Sequence, residues 1–114
     1  MKVAIIGGGA AGLCCAIAAA QKAKGKNAEI TVYESKDRVG KKILATGNGR
    51  CNMFNSRATD DDYSSPFFVR DILSRYDAES TRLFFEDLGL YTRTDEEGRA
   101  YPLSNQATSV LDVL

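Results

Sequence analysis

The sequence predicts an α/β protein that opens on a βαβ unit and continues into a long irregular loop, short helices and a small β-hairpin. Three observations carry this: a β-branched run ending on glycines, an alanine-rich helical stretch directly after it, and a second β-branched run, all within residues 1–34.

The first run, Lys2 to Ile6 ("KVAII"), has the character of a buried parallel strand. From Ala10, "AAGLCCAIAAAQKA" places Leu13, Ile17 and Ala20 at helical spacing and stops at Gly25. "AEITVYE", Ala28 to Glu34, is a second strand of the buried kind. Residues 35–65 sustain no regular period. Order resumes at Pro66, where "PFFVRDILSRY" carries an apolar stripe of Phe68, Val69, Ile72 and Leu73. A second short helix is capped by Asp77, bears Leu83, Phe84 and Leu88, and ends at Gly89. "LYTRTDEEGRAYP" is a hairpin turning near Gly98, and Ser104 or Asn105 can cap a last helix bearing Val110, Leu111, Val113 and Leu114. That helix stops uncapped on an apolar residue, so the chain is expected to be part of something longer.

Composition narrows the function. Lysine plus arginine and aspartate plus glutamate stand at 15 each, so no global field draws in nucleic acid or a membrane surface. No apolar run reaches the roughly 20 residues of a membrane-spanning helix. The first twenty residues resemble a secretory signal, but the spacing of their glycines is better explained by a turn. Three cysteines, with no C-x-x-C, fit a reducing cytoplasm better than a disulfide framework or a zinc cluster. There is no histidine, so proton transfer falls to other groups or to a cofactor.

Gly7, Gly9 and Gly12 spell G-x-G-x-x-G between strand and helix. The first permits a tight turn, the second lets backbone approach a pyrophosphate, and the third lets helix and strand pack closely. With Ala10 and Ala11 they present the helix N-terminus to phosphate. Glu34, followed by Ser35, stands at the end of the second strand, where an acid accepts hydrogen bonds from an adenosine ribose. Strand, glycines, helix, strand and acid together make a Rossmann-like, dinucleotide-binding pattern.

The irregular loop is rich in groups a cofactor can use. Gly40, Gly47 and Gly49 allow close approach, Thr46, Asn48 and Asn52 offer donors and acceptors, and Lys41, Lys42 and Arg50 offer positive charge. The run "VGKKILATGNGRCNMFN" after a "VYE" strand end resembles the signature of the BaiN-type flavoproteins, or aminoacetone oxidase family of FAD-binding enzymes. Gly40, Lys41, Lys42, Thr46, Gly47, Gly49, Arg50, Cys51, Asn52 and Asn55 match its pattern, while Phe54 stands where the family usually has a small hydroxyl residue. "GRAYP", Gly98 to Pro102, resembles the family's G-R-x-F-P.

The resemblance implies the N-terminal part of a larger two-dinucleotide-binding-type flavoprotein. Residues 1–34 would form the βαβ core, 35–65 a cofactor-loop region along FAD, and 66–114 helices and hairpin, the remainder of the parent being absent. It further implies an FAD-dependent oxidoreductase that moves hydride to or from a small organic substrate, with NAD(P)H as a possible electron donor. The alternatives are an NAD-binding dehydrogenase domain and a non-catalytic nucleotide-binding fragment. Cys51 beside Arg50 is the one candidate nucleophile, weighed against simple packing beneath the loop. Cys14 and Cys15 are expected to be small core residues, Asp60 to Asp62 a solvated loop, and Arg99 either an anchor or a site residue.

Overall fold

The computed structural model describes residues 1–114. Strands β1 (Lys2–Ile6) and β2 (Glu29–Tyr33) pair in parallel, with Lys2 opposite Glu29 and Ile6 opposite Tyr33. Helix α1 (Ala10–Lys22) is the crossover between them, and Gly25, in the left-handed region at φ 79°, helps turn the chain back toward β2. The fold class predicted from the sequence holds.

The two strands are less covered than their composition suggested. Ile5 is their one buried residue, and Ile6 is 83% exposed. A parallel pair needs apolar cover on both faces, and within this chain the helix packed on it is α1. Cys15 of α1 is exposed rather than buried, while Cys14 is half-buried and packs against the core; burial pushes the Cys14 thiol up.

After β2 the chain enters two 3-10 turns over Ile43–Gly49, interrupted where Thr46 is extended and Gly47 and Asn48 are left-handed. The stretch 35–65, which has no period in sequence, then contributes a strand, β3 (Phe54–Asn55). It joins the predicted hairpin of β4 (Thr92–Thr94) and β5 (Arg99–Pro102) as an antiparallel sheet ordered β3-β5-β4, with Phe54 and Thr94 both opposite Ala100. Two residues are too few to show alternation, which is why β3 was invisible.

Helix α3 (Ala78–Asp87) begins as expected, the Asp77 carboxylate accepting the Ser80 N–H at 2.8 Å. Its buried residue is Phe85, whereas Leu83 is 47% exposed. The stripe predicted for α2 (Pro66–Leu73) does not meet the core: Phe68 and Ile72 face outward. Helix α2 packs instead on a 3-10 turn at Asp60–Asp62, where Asp60 pairs with Arg70 at 2.7 Å and Asp62 accepts the Thr59 N–H at 2.8 Å. The acidic triplet is solvated as expected, Asp61 and Asp62 being exposed, but it is an ordered turn rather than an irregular loop. Helix α4 (Ala107–Val113) starts after Gln106; Ser104 accepts the Gln106 N–H at 3.3 Å, so neither Ser104 nor Asn105 caps the helix. The core joins Leu13, Ile43, Cys51, Phe85, Leu90, Ala107 and Val110, between α1, the loop, α3 and α4.

Candidate functional site

The glycines of the first turn differ in what requires them. Gly7 sits at φ 97° and donates its N–H to Tyr33 O at 2.8 Å, closing the strand pair. A Cβ on Gly12 would overlap the Gly7 carbonyl oxygen, so close packing of α1 on the turn excludes any side chain there. Gly9 is under neither demand. Its φ is −80°, and a Cβ would meet no atom within 4 Å. The space beside it is open, at the N-terminus of a 13-residue helix whose first amides receive no side-chain cap and whose residues Ala10 and Ala11 are exposed.

Glu34 faces this turn. One carboxylate oxygen accepts the Gly8 N–H at 2.7 Å, and the other accepts the Lys36 N–H at 2.8 Å and the Ser35 hydroxyl at 3.3 Å. The Lys36 and Gly8 amides hold its carboxyl below the usual glutamate range. The oxygen bonded to Gly8 keeps lone-pair capacity for one further donor.

The loop is stitched to the turn and to the hairpin. The Gly40 N–H donates to Gly8 O at 2.7 Å. Lys41 pairs with Asp37 at 2.9 Å, Thr46 donates its hydroxyl to Ile43 O at 2.7 Å, and Arg50 donates from Nε to Gly47 O at 3.3 Å. A Cβ on Gly47 would come within 2.5 Å of Asn52 N, whereas Gly49 faces open space at φ 81°. The Arg50 guanidinium lies 4.5 Å from the centre of the buried Tyr101 ring, and the Met53 N–H donates to Ala100 O at 2.8 Å. The two signature runs "GNGRCN" and "GRAYP" thus form one unit. Cys51 is buried in the core at φ 58°, Asn52 is exposed, and Arg99 pairs with Asp95 and Glu97 as an anchor of its own hairpin.

Two hollows meet at the turn. A polar recess of about 320 Å³ is lined by Gly8, Gly9, Glu34, Lys36, Arg38, Gly40, Lys41 and Lys42, with no apolar side chain. A mostly apolar one of about 250 Å³ is lined by Gly9, Ala10, Lys42, Thr46 and Asn52 together with Ile43, Cys51, Met53, Phe85, Val110 and Leu114. Gly9 and Lys42 belong to both. A larger hollow, about 650 Å³ between β3 and α2–α3, lies away from the glycine turn. Sequence reasoning missed Gly8, although it completes a visible run of three glycines, and missed Phe85 and Val110 as lining groups because only packing assigns them.

A glycine turn at a helix N-terminus, an acid closing the second strand and a trough running from polar to apolar define a dinucleotide-binding α/β unit. The HI0933-like protein Rossmann domain matches residues 1–114, and the chain belongs to that family. It is 44% identical over 115 residues to a 3-dehydro-bile acid delta(4,6)-reductase of Clostridium scindens, covering 99% of this chain and 27% of that protein. It is 48% identical over 75 residues to a ribosomal RNA dihydrouridine synthase of Haemophilus influenzae and 35% identical over 74 residues to one of Escherichia coli, each match covering 63% of this chain and 18% of the relative. The chain therefore spans about a quarter or less of the length of these curated relatives. The resemblance drawn from the loop signature is borne out. No helix is long and apolar enough to cross a membrane.

Proposed function

We propose that this chain is the FAD-binding portion of a flavin-dependent oxidoreductase that reduces a carbon–carbon double bond conjugated to a carbonyl. The observation that carries FAD binding is Gly9: neither backbone conformation nor any neighbouring atom excludes a side chain there, so the open space suits a ligand approaching the backbone. The trough on either side has the polarity of such a dinucleotide. Its polar end suits adenosine and phosphates, its apolar end a flat ring system.

Within this reading Gly7, Gly9, Ala10, Ala11 and Gly12 hold pyrophosphate at the α1 N-terminus, and Glu34 with Ser35 orients the ribose. Gly40, Lys41, Lys42, Thr46, Gly47, Gly49, Arg50, Cys51 and Asn52 form the second wall; Lys42 neutralises phosphate, Cys51 contributes packing, and the Arg50 charge is fixed by Tyr101. Residues 1–34, 35–65 and 66–114 act as turn, wall and support. When bound, the flavin supplies hydride transfer, with NAD(P)H as the proposed donor. The three free cysteines suit a reducing cytoplasm.

The names of the relatives favour the substrate class. A 3-dehydro-4,6-dienoic bile acid and uridine both carry a double bond in conjugation with a carbonyl. Balanced charge across the chain favours a small enone over RNA here, whereas the 48% match to an RNA-modifying enzyme supports a uridine substrate as the second reading. The test is the visible spectrum of the full-length protein, identification of the released chromophore, and NAD(P)H oxidation with a steroid dienone against ribosomal RNA. Released FAD and turnover of the dienone are expected. A colourless protein that takes up NAD and not FAD overturns the reading.

A further inference from the structure

Resting on the FAD reading, we propose that Gly8 is a positioning residue for the adenosine end of the cofactor, holding Glu34 and the Gly40 loop in one arrangement through its backbone and through the side chain it lacks. Its N–H donates to Glu34 at 2.7 Å and its carbonyl accepts the Gly40 N–H at 2.7 Å, so one residue ties the acid to the loop. Gly8 is buried, and a Cβ there would come within 2.6 Å of Val39 Cγ1 and 3.2 Å of Glu34 Cβ. Its φ lies outside the left-handed region, so packing alone enforces the glycine.

This separates Gly8 from its neighbours. At Gly12 the obstacle is backbone, the Gly7 carbonyl, and nothing can be trimmed to relieve it. At Gly40 a left-handed φ of 66° adds strain to the clash with Leu111. At Gly8 the nearest obstacle is the end of one half-exposed valine, so shortening Val39 removes the 2.6 Å clash and leaves contacts of 3.1 Å to Val39 Cβ and 3.2 Å to Glu34 Cβ, which a shift of a few tenths of an ångström accommodates without breaking the hydrogen bonds. A side chain at position 8 with Val39 intact displaces the Glu34 side chain or the loop; with Val39 shortened it does neither to more than a few tenths of an ångström.

The experiment is a double-mutant cycle in deflavinated full-length protein, with Gly8→Ala, Val39→Ala and the pair, titrated with FAD by fluorescence quenching and with ADP by competition. Gly8→Ala is expected to weaken FAD by about tenfold or more, with ADP weakened by the same factor because the defect lies at the adenosine end. Val39→Ala is expected to stay within about threefold of wild type, and the pair to recover to about that level. Should Gly8→Ala fail to fold, recovery of folding and FAD binding in the pair supports the same conclusion. Unchanged FAD affinity in Gly8→Ala, loss of FAD affinity with ADP unaffected, or a pair no better than Gly8→Ala alone overturns it. Wild-type protein that binds ADP but not FAD sinks the flavin reading and leaves the ADP arm to decide the role of Gly8; protein that binds neither sinks both.

Discussion

The opening βαβ unit has a five-residue register of parallel pairing and one crossover helix, yet Ile5 and Leu13 are the apolar residues it buries. The stretch from Gly40 to Pro102, which has little regular pairing at its start, buries Ile43, Cys51, Phe85, Leu90, Ala100, Tyr101 and Pro102. The difference follows from what each must oppose. In the βαβ unit strand pairing and the helix satisfy backbone hydrogen bonds locally, and the left-handed positions, Gly7 and Gly25, are glycines that carry no strain there. The loop holds Asn48 and Cys51 in the left-handed region at φ 55° and 58°, each costing about 1–3 kcal/mol if unsupported. It keeps that shape by pinning one side chain, Cys51, in the core and another, Arg50, on Tyr101. The irregular loop, proposed above as a site wall, is therefore held in shape by what lies under it.

The sharpest way to break this contrast is to remove what lies underneath. Phe85 belongs to the same core as Cys51 and also lines the apolar hollow. Phe85→Ala is expected to destabilise by about 3–5 kcal/mol in chemical denaturation, and to release flavin before global unfolding. Retention of flavin up to the unfolding midpoint would show that the loop stands without its core. Next comes Gly12→Ala, where the new methyl meets the Gly7 carbonyl. A loss of about 3 kcal/mol or more is expected, with flavin affinity falling and no rescue from shortening Ile5, whose Cγ2 is the nearest side-chain atom at 3.6 Å.

The two regions were legible in inverse proportion to their burial. β1, α1 and β2 were visible because period and glycine spacing act locally, and the ends of α3 were visible because Asp77 and Gly89 are local signals. The loop was legible as a site, through its glycines and polar residues, but not as a structure. β3 is set by partners more than 40 residues away, Asn55 opposite Arg99, and a two-residue strand carries no pattern of its own. Helix α2 shows the opposite failure. Its apolar stripe is real, but Phe68 and Ile72 are 71% and 46% exposed, because periodicity shows that a face is apolar without saying what covers it.

A smaller effect is expected where the two signature runs meet. Tyr101→Phe keeps the ring under Arg50, so flavin affinity and stability should stay close to wild type. Tyr101→Leu removes the π face while keeping much of the volume, with an expected loss of about 1–2 kcal/mol measured by thermal unfolding. Equal behaviour of the two variants would mean that the contact contributes packing alone.

The smallest effect should come from acid. Glu34, bonded by the Lys36 and Gly8 amides, and Asp77, bonded by the Ser80 amide, both titrate below their ordinary values in the folded chain. A folded carboxyl held low contributes stability in full above its unfolded value, about 4.3 for glutamate and 3.9 for aspartate, and loses it as pH falls through the lowered folded value. Asp77→Asn keeps an acceptor for the cap and so should lower Tm at neutral pH by a few degrees at most, while flattening the acid limb of the stability curve. Glu34→Gln should flatten the same limb but also weaken FAD at neutral pH, since its carboxylate faces the turn as well as bonding it. The pair thus separates a charge that holds a helix end from one that serves the site: both change the acid limb, and only the second changes ligand affinity where neither group titrates.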